Sequence, residues 1–204
     1  ALTDVSSSVR MDAVWAIYRY WEKALPILKD IALNDESHGV RSDTYEYLGH
    51  IGSPAIPLLI DIYKKNKFKN EHDRHAILSA FREVVDRRTL DLLERAALSD
   101  SNSYIRSPAV RVLGYYMTQM CLFFEEERVF NEPYHDTSTV IRDSSKFLVA
   151  KMTVADANYD FGRVSPEYIL TKEDYERVIV ILQKATADED EKVREKAKRQ
   201  MQEA

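Results

Sequence analysis

Residues 35–44 of this 204-residue chain read DESHGVRSDT, and their skeleton returns along the sequence. An aspartate is followed five residues later by valine or isoleucine and then by arginine, and a small or hydroxyl residue stands four positions after the branched one. The copies are Asp4/Val9/Arg10/Ala13, Asp35/Val40/Arg41/Thr44, Asp100/Ile105/Arg106/Ala109, Asp136/Ile141/Arg142/Ser145 and Asp188/Val193/Arg194/Ala197. One pattern at near-regular spacing indicates one supersecondary unit that is stacked several times.

The spacing of the copies predicts one more, degenerate copy. The branched residues stand at 9, 40, 105, 141 and 193, so the steps are 31, 65, 36 and 52 residues. Because 65 is about twice the first step, a further copy is expected near residue 72. His72 and Asp73 stand there in place of the Val–Arg pair, and Ala76 keeps the small position. The long last step indicates an insertion, which we place at residues 153–171.

Each copy is typical of a turn that leads into a helix. The aspartate can brace the turn by accepting backbone N–H groups, and the branched and small residues share one helix face. Another amphipathic helix is expected before each following copy, at 24–31, 55–60, 90–95 and 175–185. It would be the first helix of its unit, and the helix that carries the motif would be the second. Glycine is scarce, with 5 residues, and no alternating run appears, so the pattern favours an all-α fold of helix–turn–helix units.

These motifs resemble HEAT repeats of the HEAT-like, PBS-lyase-type class. The repeated Asp-x4-Val-Arg-x2-Ala, the Ala-Leu-Pro-x-Leu start at Ala24 and the stretch LGHIGSPAIPLL at 48–59 carry the resemblance. It covers 4–118 well, and 136–152 and 172–201 more loosely. It implies a right-handed α-α solenoid, or superhelix, of about five to six repeats in a single domain over 1–204. First helices would form the convex face and second helices the concave face.

The resemblance also assigns a structural role to the repeated polar pair. It implies that the Asp and Arg of each copy hydrogen-bond along the stack. The residues concerned are Asp35, Arg41, Asp100, Arg106, Asp136 and Arg142.

Composition narrows the classes of function. The net charge of −5 argues against a general nucleic-acid binder. The single Cys121 excludes an internal disulfide and fits a reducing compartment, so we expect a cytoplasmic protein. No signal peptide or long apolar span is visible, so no membrane partner is expected.

The chain starts without Met and the first copy lacks room for its first helix, which suggests a fragment of a longer array. The charged last helix, at 188–204, is typical of a terminal cap.

Positions six and ten after each branched residue are expected on the concave ridge. They read Trp15, Arg19, Glu46, His50, Leu78, Arg82, Arg111, Tyr115, Phe147, Lys151, Arg199 and Glu203. This basic and aromatic stripe predicts a non-catalytic scaffold that binds an acidic or phosphorylated segment of another protein. The residues expected to bind are Trp15, Arg19, His50, Arg82, Arg111, Tyr115 and Lys151. The alternative is a solvated face whose cations pair with Asp12, Asp43, Glu46 and Asp143.

The insertion at 153–171 is a second candidate surface. It carries Tyr159, Phe161 and Tyr168, and insertions in repeat proteins often bind. The alternative is a loop that packs on the protein itself.

Evidence for an enzyme is thin. His72 and His75 beside Glu71 form a possible metal pair, but HEAT-type metalloenzymes such as deoxyhypusine hydroxylase need His-Glu pairs in matching repeats, and the sequence has none. We therefore expect no catalytic residue, metal or cofactor.

The alternative function is a HEAT-like nucleic-acid-binding or DNA-repair protein of the alkylpurine glycosylase type, with Asp12 near Trp15 as its only candidate carboxylate. The acidic composition opposes it. Phycobilin lyases of the HEAT type are a further alternative, with no specific motif in support.

Overall fold

The computed structural model describes residues 1–65, 70–130 and 168–203. In these ranges the regular structure is helical and contains no strand, which confirms the all-α prediction. Three short 3-10 helices lie at Trp21–Ala24, Phe81–Glu83 and Arg87–Thr89. The α-helices are α1 (Ser7–Tyr18), α2 (Leu25–Asn34), α3 (His38–Ile51), α4 (Ile56–Lys64), α5 (Glu71–Ala80), α6 (Leu90–Ser99), α7 (Ser103–Phe130), α8 (Lys172–Ala185) and α9 (Glu191–Glu203).

Local signals explain where several helices begin. A proline stands in the first turn of α2 and of α4, where its missing N–H would have no helical acceptor anyway. The start of α8 is a capping box in which Thr171 and Asp174 satisfy each other's backbone N–H. The four helices predicted between copies appear as α2, α4, α6 and α8, which confirms them.

The second helix of each unit packs against the second helix of the next one. The contacts run from α1 to α3, to α5, to α7 and to α9, and we call these five helices the second-helix row. The first helices α2, α4, α6 and α8 pack against α3, α5, α7 and α9 respectively, and α6 also contacts α8. The core lies between the two sets and is built from residues such as Leu48, Leu93, Leu113 and Leu182, none of which is exposed.

The repeated aspartate braces the turn before each second helix. One carboxylate oxygen accepts the backbone N–H of the residue two positions later, at 2.8–2.9 Å, in Asp4, Asp35, Asp100 and Asp188. The arginine six residues after each of these aspartates donates Nη1 to the aspartate's own carbonyl, at 2.7–2.9 Å. The predicted turn brace is therefore confirmed in these four copies.

The same arginines also connect neighbouring units. Arg10 donates Nε and Nη2 to the two carboxylate oxygens of Asp35, and Arg106 does the same to Asp188, at 2.8 and 2.9 Å in both pairs. These four side chains are between 5% and 9% exposed. Burial by itself would raise the pKa of Asp35, but the Arg10 guanidinium and the Ser37 N–H outweigh burial and lower it.

Hydrogen bonding along the stack, which the resemblance implied, is therefore confirmed for these copies. The equivalent Asp136 and Arg142 lie outside the described residues.

The degenerate copy is one residue out of the predicted register. His72 is exposed, whereas Asp73 is fully buried and accepts a hydrogen bond from Nε of Arg41 at 2.9 Å. Arg74 then takes the place of the repeat arginine and pairs with Asp100. Phe68 stands where this copy's loop aspartate would be. The acceptor for Arg41 therefore comes from the helix itself, which places Asp73 at the buried position expected for a branched residue.

Two glycines allow close approach between neighbouring second helices. A Cβ on Gly49 of α3 would lie 2.5 Å from the backbone oxygen of Ala80 at the end of α5. A Cβ on Gly114 of α7 would overlap the side chain of Gln200 on α9. The absence of a side chain at these points lets α5 and α9 come close to their neighbours.

Candidate functional site

The structure places six of the seven predicted ridge residues on or directly after helices of the second-helix row. Trp15 lies on α1, and Arg19 directly follows that helix. His50 lies on α3, and Arg82 lies in the turn after α5. Arg111 and Tyr115 lie on α7, where Tyr115 packs against the core. Lys151 lies outside the described residues. Leu78, which the count also placed on the ridge, is fully buried, because this copy is shifted by one residue.

The N-terminal half of the row is aromatic. The rings of Tyr18 and Tyr47 stack at 4.5 Å with an interplanar angle of 7°, and Trp21 meets Tyr18 edge-on at 6.3 Å. The ring of His50 lies 6.2–6.3 Å from both tyrosines. Beside this group, the guanidinium of Arg19 lies 5.1 Å from the ring of Trp15. These contacts join α1 to α3 through aromatic side chains.

The same half carries acidic side chains. Burial raises the pKa of Asp43, and burial together with the nearby Asp43 and Glu46 raises the pKa of Tyr47. Asp12 adds a further, smaller contribution to Tyr47. The described residues provide no ion pair to Asp12, Asp43 or Glu46. The N-terminal half is therefore aromatic and acidic.

The C-terminal half of the row is basic. Arg82, Arg111, Lys196 and Arg199 lie on α7, α9 and the turn after α5, and we call these four residues the basic cluster. Burial lowers the pKa of Arg111, and the charge of Arg82 lowers it further. The pKa of Lys196 is lowered by burial and by the charges of Arg111 and Arg199. These cations are therefore close enough to repel one another.

The two half-buried cations of the basic cluster bond to hydroxyl groups. Arg111 donates Nη2 to Oγ of Ser79 at 2.9 Å, and Lys196 donates Nζ to Oγ of Ser107 at 2.9 Å. Nε of Arg111 is buried and has no hydrogen-bond acceptor among the described residues. Within the same ranges neither Arg111 nor Lys196 forms an ion pair with a carboxylate. The partners that the described residues offer to these two charges are therefore neutral oxygens.

Glu83 marks the boundary between the two halves. One of its carboxylate oxygens lies 3.4 Å from Nε2 of His50, and the other lies 3.5 Å from Nη2 of Arg82. The proposed pairing of the ridge cations with Asp12, Asp43 and Glu46 does not occur in the described residues, and Asp143 lies outside them. The two sets of charges are separated along the row.

Counting from the motif missed part of the basic cluster. Lys196, Ser79 and Ser107 were not among the counted positions. Lys196 lies one turn before Arg199 on the same face of α9, so helical spacing offered a signal for it. For the two serines the sequence holds no such signal, since their role depends on which cation a neighbouring helix brings to them.

The insertion candidates fall mostly outside the described residues. Tyr159 and Phe161 belong to that undescribed part. Tyr168 is half-buried, and the guanidinium of Arg88 lies 3.7 Å from its ring centre. Arg88 in turn donates to the carboxylate of Asp86 and to the backbone oxygen of Ser53. In this position Tyr168 covers a polar network that joins the turns after α3 and α5.

The side chains of His72 and His75 both contact Tyr104. The ring of His75 stacks on Tyr104 with centroids 4.7 Å apart, and Nδ1 of His72 lies 3.0 Å from the Tyr104 hydroxyl. Glu71 bonds to Arg74 at 3.3 Å. Across residues 1–65, 70–130 and 168–203, no three potential metal ligands come together.

A cleft of about 430 Å³ lies where α6 and α8 end. Arg106, Asp188, Leu98 and Lys184 line it. Because the first two of these already form a two-point ion pair, the cleft offers few unpaired polar groups for a ligand.

No protein-family model matches the sequence, and no curated protein matches it. Within the described part of the chain, no helix combines the length and the apolar character needed to cross a bilayer.

Proposed function

We propose that the chain is a HEAT-like α-solenoid that serves as a non-catalytic scaffold and binds an acidic or phosphorylated segment of another protein. The segment would lie along the second-helix row, which in a right-handed solenoid forms the concave face. The single cysteine supports a reducing compartment such as the cytoplasm.

The order of helix contacts supports the solenoid. Each second helix contacts the next along the row, and each first helix packs on its own partner. The turn brace has the same hydrogen bonds in four copies. Arg10 makes a two-point link to Asp35 of the following copy, and Arg106 makes the same link to Asp188 of the last copy. In repeat proteins of this kind each unit contacts mainly its neighbours, and extended binding surfaces follow the row.

The binding proposal rests on the burial of Arg111 and Lys196 and on the partners of their charged groups. Both are half-buried cations in a protein of net charge −5, and both have hydroxyl rather than carboxylate partners among the described residues. Mutual repulsion and burial make this arrangement unfavourable for the unbound protein. An anionic segment would relieve that cost, and arginine suits carboxylate and phosphate groups in particular.

Fluorescence anisotropy with two labelled dodecapeptides, one rich in Glu and one rich in Lys, tests the proposal. We expect the acidic peptide to bind and the basic one not to. The double variant Arg111→Glu/Lys196→Glu should weaken acidic-peptide binding at least about tenfold. The control Lys29→Glu/Lys172→Glu changes the net charge equally on exposed positions of the first helices and should bind almost as well as wild type.

Three outcomes would reject the proposal. The first is that the acidic peptide does not bind. The second is that the control variant loses as much affinity for the acidic peptide as Arg111→Glu/Lys196→Glu does, which would show that net charge alone explains the loss. The third is tighter binding of duplex DNA than of the acidic peptide, with a steep loss of affinity as salt rises. That result would replace the scaffold with a nucleic-acid-binding role.

A further inference from the structure

We infer that the basic cluster seats the phosphate group of a phosphorylated serine or threonine in the partner segment. The inference rests on the proposed function and specifies the chemistry of its ligand. Arg111 and Lys196 would contact the phosphate directly, and the exposed Arg82 and Arg199 would lie at the rim.

The hydrogen bonds of the cluster bring its groups to one place. Ser107 and Arg111 are four residues apart on α7 and therefore share a helix face. Lys196 reaches Ser107 from α9, and Arg111 reaches Ser79 on α5. Two cations and two hydroxyls thus lie around a single turn of α7, between the helices on either side.

These groups offer donors that a phosphate needs. A serine oxygen that accepts a bond from a cation keeps its own proton for donation to another acceptor. Within the described ranges the oxygen of Ser107 accepts the bond from Lys196, and its hydroxyl proton has no acceptor. Arg111 and Lys196 add further N–H donors beyond the ones that they give to Ser79 and Ser107. Three phosphate oxygens match such a set better than the two of a carboxylate.

Charge also favours phosphate over carboxylate. A phosphoserine carries about −1.5 to −2 charges at neutral pH, whereas a glutamate carries −1. Two half-buried cations without a carboxylate partner require about two negative charges for neutrality. One phosphate supplies them at a single point, and one carboxylate leaves a positive charge unbalanced.

The other half of the row disfavours a nucleic acid. A nucleic-acid strand would carry phosphates along the whole row and bring them to Asp12, Asp43 and Glu46, none of which is paired with a cation in the described residues. Like charges at that end would oppose binding. A single phosphate on a peptide meets only the basic end, so the separation of charge along the row favours a phosphopeptide.

Three labelled peptides that differ at one residue test the inference. The central residue is phosphoserine, glutamate or serine in an otherwise uncharged sequence, and affinities are measured by anisotropy at about 0.15 M salt, where surface attraction is largely screened. We expect the phosphoserine peptide to bind at least about tenfold more tightly than the glutamate peptide, and the serine peptide not to bind.

Two variants and a control locate the effect. Arg111→Gln/Lys196→Met should remove the preference for phosphoserine, and Lys29→Gln/Lys172→Met should keep it. Ser107→Ala is a milder change that should weaken phosphoserine binding several-fold if its hydroxyl donates to the phosphate. Melting curves of all variants verify that each is folded.

The outcomes separate this inference from the proposed function. Equal affinity for phosphoserine and glutamate, with both lost in Arg111→Gln/Lys196→Met, overturns the phosphate inference and leaves the acidic-peptide scaffold in place. Failure of these peptides together with the Glu-rich dodecapeptide overturns both. Preferential binding of a single-stranded DNA dodecamer overturns the inference in favour of a nucleic acid.

Discussion

Arg106 donates Nε and Nη2 to the two carboxylate oxygens of Asp188, at 2.8 and 2.9 Å, although the two residues stand 82 positions apart in the sequence. The contact has the geometry of the link between Arg10 and Asp35, which spans only 25 residues. The last copy of the motif therefore docks directly on α7. Residues 131–167, which lie between the two partners in sequence, are outside the described part of the chain.

This pair predicts a measurable coupling between α7 and the turn before α9. Arg106→Ala should lower the free energy of unfolding by about 2–4 kcal/mol, because it leaves a buried carboxylate without its partner. Urea denaturation of Arg106→Ala, Asp188→Ala and the double variant completes a double-mutant cycle. We expect the double variant to lose clearly less than the sum of the single losses, and strictly additive losses would contradict the pairing. Lys172→Ala, at an exposed position, serves as the control.

The degenerate copy gives a prediction that opposes the consensus of the motif. Asp73→Val recreates the Val–Arg pattern at residues 73–74, so repeat consensus alone would predict a gain in stability. The structure predicts a loss of about 3–5 kcal/mol, because Arg41, which is 2% exposed, would lose its only carboxylate partner among the described residues. Chemical denaturation decides between the two signs. A more stable Asp73→Val protein would show that Arg41 does not depend on Asp73.

Two glycines of α3 predict opposite effects of the same substitution. Alanine is favoured over glycine within a helix by up to about 1 kcal/mol. At Gly39 the added Cβ would meet nothing closer than 3.6 Å, so Gly39→Ala should raise the melting temperature slightly. At Gly49 the Cβ would lie 2.5 Å from the backbone oxygen of Ala80, so Gly49→Ala should lower it by several degrees. Equal shifts in the two variants would contradict the close approach of α3 and α5.

His75 reports on the charge of the basic cluster. Burial lowers its pKa, and the positive charges of Arg111, Lys196 and His72 lower it further, below the ordinary value of about 6.5. Arg111→Gln should therefore raise the pKa of His75, which NMR titration of the ring signal measures. Arg95→Gln, on α6, is the control and should leave it unchanged. An unaltered His75 pKa in Arg111→Gln would separate this histidine from the cluster.

The depressed pKa of His75 also sets the sign of its effect on stability. Because the folded state favours the neutral ring, its contribution is complete above pH 6.5 and is lost as pH falls from there through the folded-state pKa. The loss should be smaller in Arg111→Gln, where the two pKa values lie closer together. Urea midpoints of both proteins between about pH 5 and 7.5 measure the difference.

Sequence reasoning located the helices and part of the site. The turn braces at Asp35 and Asp100 and the helices between copies follow from local patterns, since each involves residues within about ten positions. The ridge count found Arg82, Arg111 and Arg199. It placed the degenerate copy one residue early, because a periodic count cannot show that an acid such as Asp73 has moved from the loop into the helix.

The amino-acid sequence by itself determined the elements that depend on near neighbours: the braced turns, the apolar faces and the proline-started helices. Only the tertiary structure decided which aspartate each arginine meets, how charge divides along the second-helix row, and which serines partner Arg111 and Lys196. These contacts join residues 25 to 89 positions apart. They depend on the distance and angle between packed helices, which are set by the whole core and by close approaches such as that at Gly114, and which no single stretch of sequence contains.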